Sequence, residues 1–121
     1  MMKQSVFSVK KAAVLAVFAV AGVGAVGTAS AACNTYSNVG TVCVTKASKG
    51  YDAAYTRTGP GTVKADFNLY CANGRWFGDL GPFNISNGQR RTYVFSVGSK
   101  GSCQVRVIIG NIIYGSPYLN R

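Results

Sequence analysis

The chain has no histidine and no glutamate, and only three aspartates among its 121 residues. Without histidine there is no Ser-His-Asp set and no imidazole-ligated metal. Without glutamate, acid/base chemistry falls back on Asp52, Asp66 and Asp79. Both methionines stand at positions 1 and 2, tryptophan occurs once and proline three times, against 15 glycines. Past residue 31 no stretch carries the helical period of apolar residues. That excludes a helical bundle, an amphipathic membrane helix and a basic recognition helix of the kind that reads nucleic acid.

Positive charge is abundant, with 13 Lys and Arg giving a formal +10. Three of these residues, Lys3, Lys10 and Lys11, precede the apolar run Ala12 to Val26, and Ala29-Ser30-Ala31 then offers small residues where a signal peptidase reads. The pattern predicts a secretory signal peptide over residues 1–31. The run is shorter than the about 20 residues that a spanning helix needs, and Gly22 and Gly24 interrupt it, which argues against a membrane anchor. Lys10-Lys11 in place of Arg-Arg disfavours twin-arginine export. Ser30 and the odd cysteine that would remain disfavour lipidation of Cys33. The expected product is a single secreted, extracellular domain over residues 32–121, with ten Lys and Arg against three Asp, a formal +7.

Export makes disulfides the default for Cys33, Cys43, Cys71 and Cys103. In Val63 to Cys71 the odd positions read Val, Ala, Phe, Leu, Cys and the even ones Lys, Asp, Asn, Tyr, so Cys71 faces a core. Cys103 alternates in the same way with Val105, Val107 and Ile109. Two inward cysteines predict a Cys71–Cys103 bridge across the core and leave Cys33–Cys43 as an N-terminal clip. On the chain-entropy model the two loops contribute about 3.7 and 2.8 kcal/mol. The cysteine spacing contains no C-x-x-C knuckle, so no zinc site and no cofactor are expected.

Turn signals punctuate the domain closely. Pro60-Gly61 is a type II pattern, Asn73-Gly74 a type I′ hairpin signal, and Gly110-Asn111 a two-residue hairpin loop; Asn87-Gly88 separates two further segments. Seven or eight short strands result, with Gly40 to Thr45 as the opening one. The expected fold is all-β, a small antiparallel β-sandwich of immunoglobulin-like architecture stapled by disulfides, with a small β-barrel as the alternative. Trp76 follows Cys71 too closely to be the core tryptophan of a true immunoglobulin domain.

The run from Phe67 to Cys103 resembles small secreted actinobacterial proteins that join an export signal to a four-cysteine β domain. The resemblance rests on turn and core residues such as Asp66, Phe67, Cys71, Asn73, Gly74, Gly78, Asp79, Gly81, Phe83, Gly88, Phe95 and Cys103. It implies an exported β domain and carries over no catalytic or binding residue. A looser likeness, in size and class, is to secreted bacterial enzyme inhibitors.

Asp66 lies on the polar side of its strand and Asp79 in a Gly-Asp-Leu-Gly turn, so each has a structural explanation. Ser48-Lys49 and Ser99-Lys100 are turn pairs whose neighbours point apart, and there is no nucleophile elbow or phosphate loop. The expectation is a non-catalytic protein. Binding has more to draw on: Tyr70 on an outward position, Arg75 and Trp76 after a tight turn, Arg90 and Arg91 after another, and Arg106 outward on the Cys103 strand. Arginine beside aromatic rings suits flat or anionic ligands. The plainer alternative makes the charge a solubilising surface and buries Trp76 at a sheet edge. Outside a cell the abundant counterparts are anionic polymers and other components of the cell envelope, not specific nucleic acid. The functional expectation is a secreted cationic binding protein, antimicrobial or surface-associated; the alternative is an inhibitor presenting a loop such as Ala72 to Asp79 to a target hydrolase.

Overall fold

A computed structural model describes residues 30–121; the lysines and apolar run of the expected signal peptide lie outside them. Ten strand segments follow in order: β1 (Ala32–Tyr36), β2 (Gly40–Ala47), β3 (Gly50–Arg57), β4 (Thr62–Cys71), β5 (Trp76–Gly78), β6 (Phe83–Ser86), β7 (Arg90–Phe95), β8 (Ser102–Ile109), β9 (Ile112–Gly115) and β10 (Leu119–Asn120). The first sheet has the order β1-β2-β3-β7, and the second β10-β8-β4-β5, with β6 also on β4 and β9 also on β8. All pairings are antiparallel.

Ten segments stand where seven or eight are expected because β1 precedes the expected opening strand at Gly40 and the two-residue β10 follows the last expected one, and the edges of the second sheet are broken. β5 pairs with residues 68–70 of β4 and β6 with residues 62–65, so they are one edge strand interrupted at residues 79–82. β9 and β10 run along β8 in the same way, interrupted at Ser116, Pro117 and Tyr118. Each break contains a proline, which cannot donate to a ladder and belongs at an edge. In the second break Ser116 keeps the contact: its backbone N–H donates to Val105 O at 2.8 Å, and its Oγ accepts from Val105 N at 2.9 Å.

Alternation builds the core. Val42, Val44, Tyr51, Ala53, Tyr55 and Phe95 of the first sheet face Ala65, Phe67, Leu69, Cys71, Ile85, Cys103, Val105 and Val107 of the second, all at most 2% exposed. Burying each large side chain contributes about 1.5–3 kcal/mol. The buried tyrosines find polar partners at the ends of the sandwich: Tyr51 Oη donates to Gly101 O and accepts from Lys100 N, both at 2.8 Å, and Tyr55 Oη donates to Val39 O at 2.7 Å. Among the described residues no strand pairing joins the two sheets, so the architecture is the sandwich and not the closed barrel.

Both expected disulfides form, Cys33–Cys43 and Cys71–Cys103. Cys71 and Cys103 are fully buried, as alternation requires, but they sit directly opposite each other on the neighbouring strands β4 and β8, with Cα atoms 3.9 Å apart. The bridge therefore staples one sheet internally and does not cross the core from layer to layer. Close, directly opposed positions of this kind are the non-hydrogen-bonded pairs of an antiparallel ladder. Cys33–Cys43 joins β1 to β2 on the outer face of the first sheet, since Val42 and Val44 beside Cys43 point inward.

The turns differ in one place. After Cys71, Gly74 N donates to Cys71 O at 2.9 Å, Cys71 N donates to Arg75 O at 2.8 Å, and Gly74 alone has a positive φ, +88°. This is a three-residue loop, a type I turn closed by a left-handed glycine, and not type I′, which needs positive φ at Asn73 as well. Asn73 instead uses its side chain, with Oδ1 accepting from Arg75 N at 3.0 Å. Gly61, at φ +70°, fits the type II turn after Pro60. No helix of the described residues is long and apolar enough to cross a membrane.

Candidate functional site

The two outer faces differ in chemistry. That of the first sheet is mostly small and polar, with Thr41, Thr45, Thr56 and Thr92 around Ala54, Asp52 and Arg90. That of the second carries Lys64, Asp66, Asn68 and Tyr70 from β4, Gln104, Arg106 and Ile108 from β8, Trp76 from β5 and Ile113 from β9. Alternation puts these residues outward because their neighbours Ala65, Phe67, Leu69, Val105 and Val107 are claimed by the core.

Three of the residues singled out from sequence meet here. The Arg106 guanidinium lies over the Tyr70 ring, 3.9 Å from Cζ to centroid. Trp76 stands directly opposite Tyr70 in the β4–β5 pairing and is 64% exposed. It does occupy an edge strand, but facing solvent, so the alternative that buries it fails. Sequence reasoning passed over Gln104, although it shares the outward period of Arg106 two positions on. Its Oε1 accepts from Arg106 Nε at 2.7 Å, and its Nε2 donates to Ser116 O at 2.8 Å. The guanidinium is thus braced against the broken edge between β9 and β10.

The other three candidates lie elsewhere. Arg75, in the β4–β5 loop, packs its guanidinium 5.5 Å from the centre of the Phe77 ring. Arg90 pairs with Thr56 and faces out from the first sheet. Arg91 pairs with inward-facing Tyr55, and its guanidinium rests 4.9 Å from the Phe83 ring of the other sheet. Consecutive strand residues point to opposite sides, so Arg90 and Arg91 cannot serve one surface. Two further cations are structural. Arg57 is 5% exposed, with Nη2 donating to Pro60 O at 2.7 Å; Arg121 donates to Ala47 O, Ser48 O and Ser99 Oγ. That contact also occupies the serine of the Ser99-Lys100 pair.

Asp66 and Asp79 come together, which neither local pattern announces. The β4–β5 register sets the edge break opposite Asp66, and Asp79 sits in that break with Oδ1 accepting from Gly81 N at 2.9 Å. Burial, first, and then Asp79, which accepts from the protonated Asp66 carboxyl and repels the ionised one, push the Asp66 pKa up to about 6. Asp66 Oδ1 is buried with no hydrogen-bond donor, so ionising the carboxyl costs more there than in water. Carboxyl pairs of this kind support acid/base chemistry where a substrate cleft covers them. Here Asp66 lines a shallow trough with Lys64, Pro82, Ile108 and Gly110, whereas Asp79 lines a separate hollow with Phe67, Phe83 and Arg91. Among the described residues no group of three or more Cys, Asp, Glu or His is placed to hold a metal.

No protein-family model, curated protein or solved structure matches the chain.

Proposed function

We propose that the chain is an exported, non-catalytic cationic module that binds an anionic component of a cell envelope or its surroundings, as a surface-associated or antimicrobial factor. The observation that carries this reading is the Arg106 guanidinium held on Tyr70 and by Gln104 beside an exposed Trp76. A cation fixed in this way loses little side-chain freedom when it meets an anion. Two disulfides agree with an oxidising compartment. The formal +7 of residues 32–121 draws polyanions towards the domain. The test is sedimentation of residues 32–121 with purified envelope fractions over a salt series. Saturable binding that weakens as salt rises is expected; binding that is absent or indifferent to salt overturns the reading.

One observation favours a second reading, inhibition of a hydrolase. Ala72 to Trp76 are all exposed, and the loop is anchored at its base by the Cys71–Cys103 bridge and two backbone hydrogen bonds to Cys71. A rigid presented loop is what a competitive inhibitor needs. Stoichiometric inhibition in a panel of proteases and glycosidases, abolished by Trp76→Ala, would establish it in place of the first.

A further inference from the structure

We infer that the ligand of the second sheet's outer face is an acidic glycan, a chain of sugar rings bearing carboxylate or sulfate groups, laid along β4. This rests on the binding role proposed above and narrows it to one chemistry. Arg106 supplies the first half of the recognition. Its Nε is taken by Gln104 and its flat side by Tyr70, and among the described residues no protein acceptor meets its two terminal amino groups. That leaves a charged, oriented fork for a planar acid group.

Trp76 supplies the second half. A broad ring 64% exposed, directly across from Tyr70, offers an apolar plane on which the C–H face of a sugar can pack. A bare polyphosphate has no such face. Gly78, opposite Asn68, adds no side chain beside the Trp76 ring; a Cβ built there would meet the ring at 3.8 Å, an ordinary van der Waals contact. At Gly115, by contrast, an added Cβ would lie 2.6 Å from Gln104 Nε2, so this glycine is what lets Gln104 reach Ser116 and brace the guanidinium.

Lys64 gives the site its length. It is exposed on the same face as Asn68, the cross-strand partner of Arg106, and four residues of strand separate it from Asn68 by about 13 Å. Asp66 lies between, with its carboxyl engaged by Asp79, beside the apolar walls of Pro82 and Ile108. Two cations in line, with Asp66 and apolar surface between them, suit a polymer that spaces its acid groups along sugar rings.

Trp76 is the chain's one tryptophan, so intrinsic fluorescence reports this face directly. Residues 32–121 are titrated with polygalacturonate, with dextran, with polyphosphate of equal charge and with phosphatidylglycerol vesicles. Polygalacturonate is expected to shift the Trp76 emission saturably and to bind at least about tenfold more tightly than each of the others, a difference of a single well-placed contact. By calorimetry, Arg106→Lys and Trp76→Ala each weaken polygalacturonate binding about tenfold, while Lys49→Gln, which removes equal charge from the β2–β3 turn, changes it less than about twofold. Equal or tighter binding of polyphosphate or vesicles, or wild-type affinity in either face variant, overturns the inference. If polygalacturonate fails while envelope fractions still bind in a salt-sensitive way, the glycan is wrong and the broader role stands; if both fail, both fall.

Discussion

Replacing Asp66 by asparagine should stabilise the domain at neutral pH and do nothing in acid. The Asp66 carboxyl has a pKa of about 6 in the fold against an ordinary 3.8, because burial and Asp79 disfavour its ionised form. Below pH 4 both folded and unfolded chains hold the proton, and the group is neutral to stability. Between about 4 and 6 the unfolded chain gives up the proton while the folded one retains it, so stability falls as pH rises; above 6 the whole penalty is present. At 1.36 kcal/mol per unit the shift corresponds to about 3 kcal/mol, which solvent screening at the rim of the trough reduces to about 1–2. An asparagine in its place carries no charge, and its amide donates to Asp79 as the protonated acid does. Thermal unfolding of residues 32–121 at pH 4, 5, 6 and 7.5 is the assay. Asp66→Asn should raise the Tm at pH 7.5 by about 5–10 °C, leave it within about 2 °C at pH 4, and flatten the wild-type decline between. A lower Tm at pH 7.5, or an equal change at both ends of the range, would refute the placement of these two carboxyls.

Other consequences can be checked in the same preparations. Removing the Cys71–Cys103 bridge, which closes the longer loop, should cost about 3–4 kcal/mol in urea unfolding, against about 2–3 for the Cys33–Cys43 bridge, and the reverse order would count against the loop-entropy account. Arg121→Ala deletes the bonds from the last residue to Ala47, Ser48 and Ser99, and is expected to cost about 1–2 kcal/mol in the same experiment. Gly115→Ala displaces Gln104 and should weaken anion binding severalfold, a loss read by calorimetry, without the effect appearing in Arg90→Gln on the opposite sheet.

The strands that build the core are legible because their alternation is clean. From Val63 to Cys71 and from Cys103 to Ile109 every second residue is apolar, and those residues are the ones the sandwich buries. β1 carries no such signal: Cys33, Asn34 and Thr35 are all exposed on an edge strand, and nothing in their order marks one side as buried. Strand order is equally silent, which is why a Cys71–Cys103 bridge within one sheet reads from sequence as a bridge between two. The same limit applies to the face. That Tyr70 and Arg106 point outward follows from alternation, but that Arg106 lies on the Tyr70 ring follows from β8 pairing with β4, a long-range choice. The separation of Arg90 from Arg91 was within reach of alternation alone. The meeting of Asp66 and Asp79 was not, since it depends on where β5 breaks along β4.

Which face of the sandwich meets an acidic polymer is the deciding question. Amide and side-chain NMR spectra of isotopically labelled residues 32–121, titrated with polygalacturonate, measure that directly. The predicted result is a set of saturable shifts at the Trp76 indole N–H, Arg106 Nε–H, the Gln104 side-chain amide and the Tyr70 backbone, with Thr45, Arg90 and Thr92 unmoved. Shifts centred on the first sheet, or spread evenly over Lys46, Lys49, Arg90 and Lys100, would contradict it.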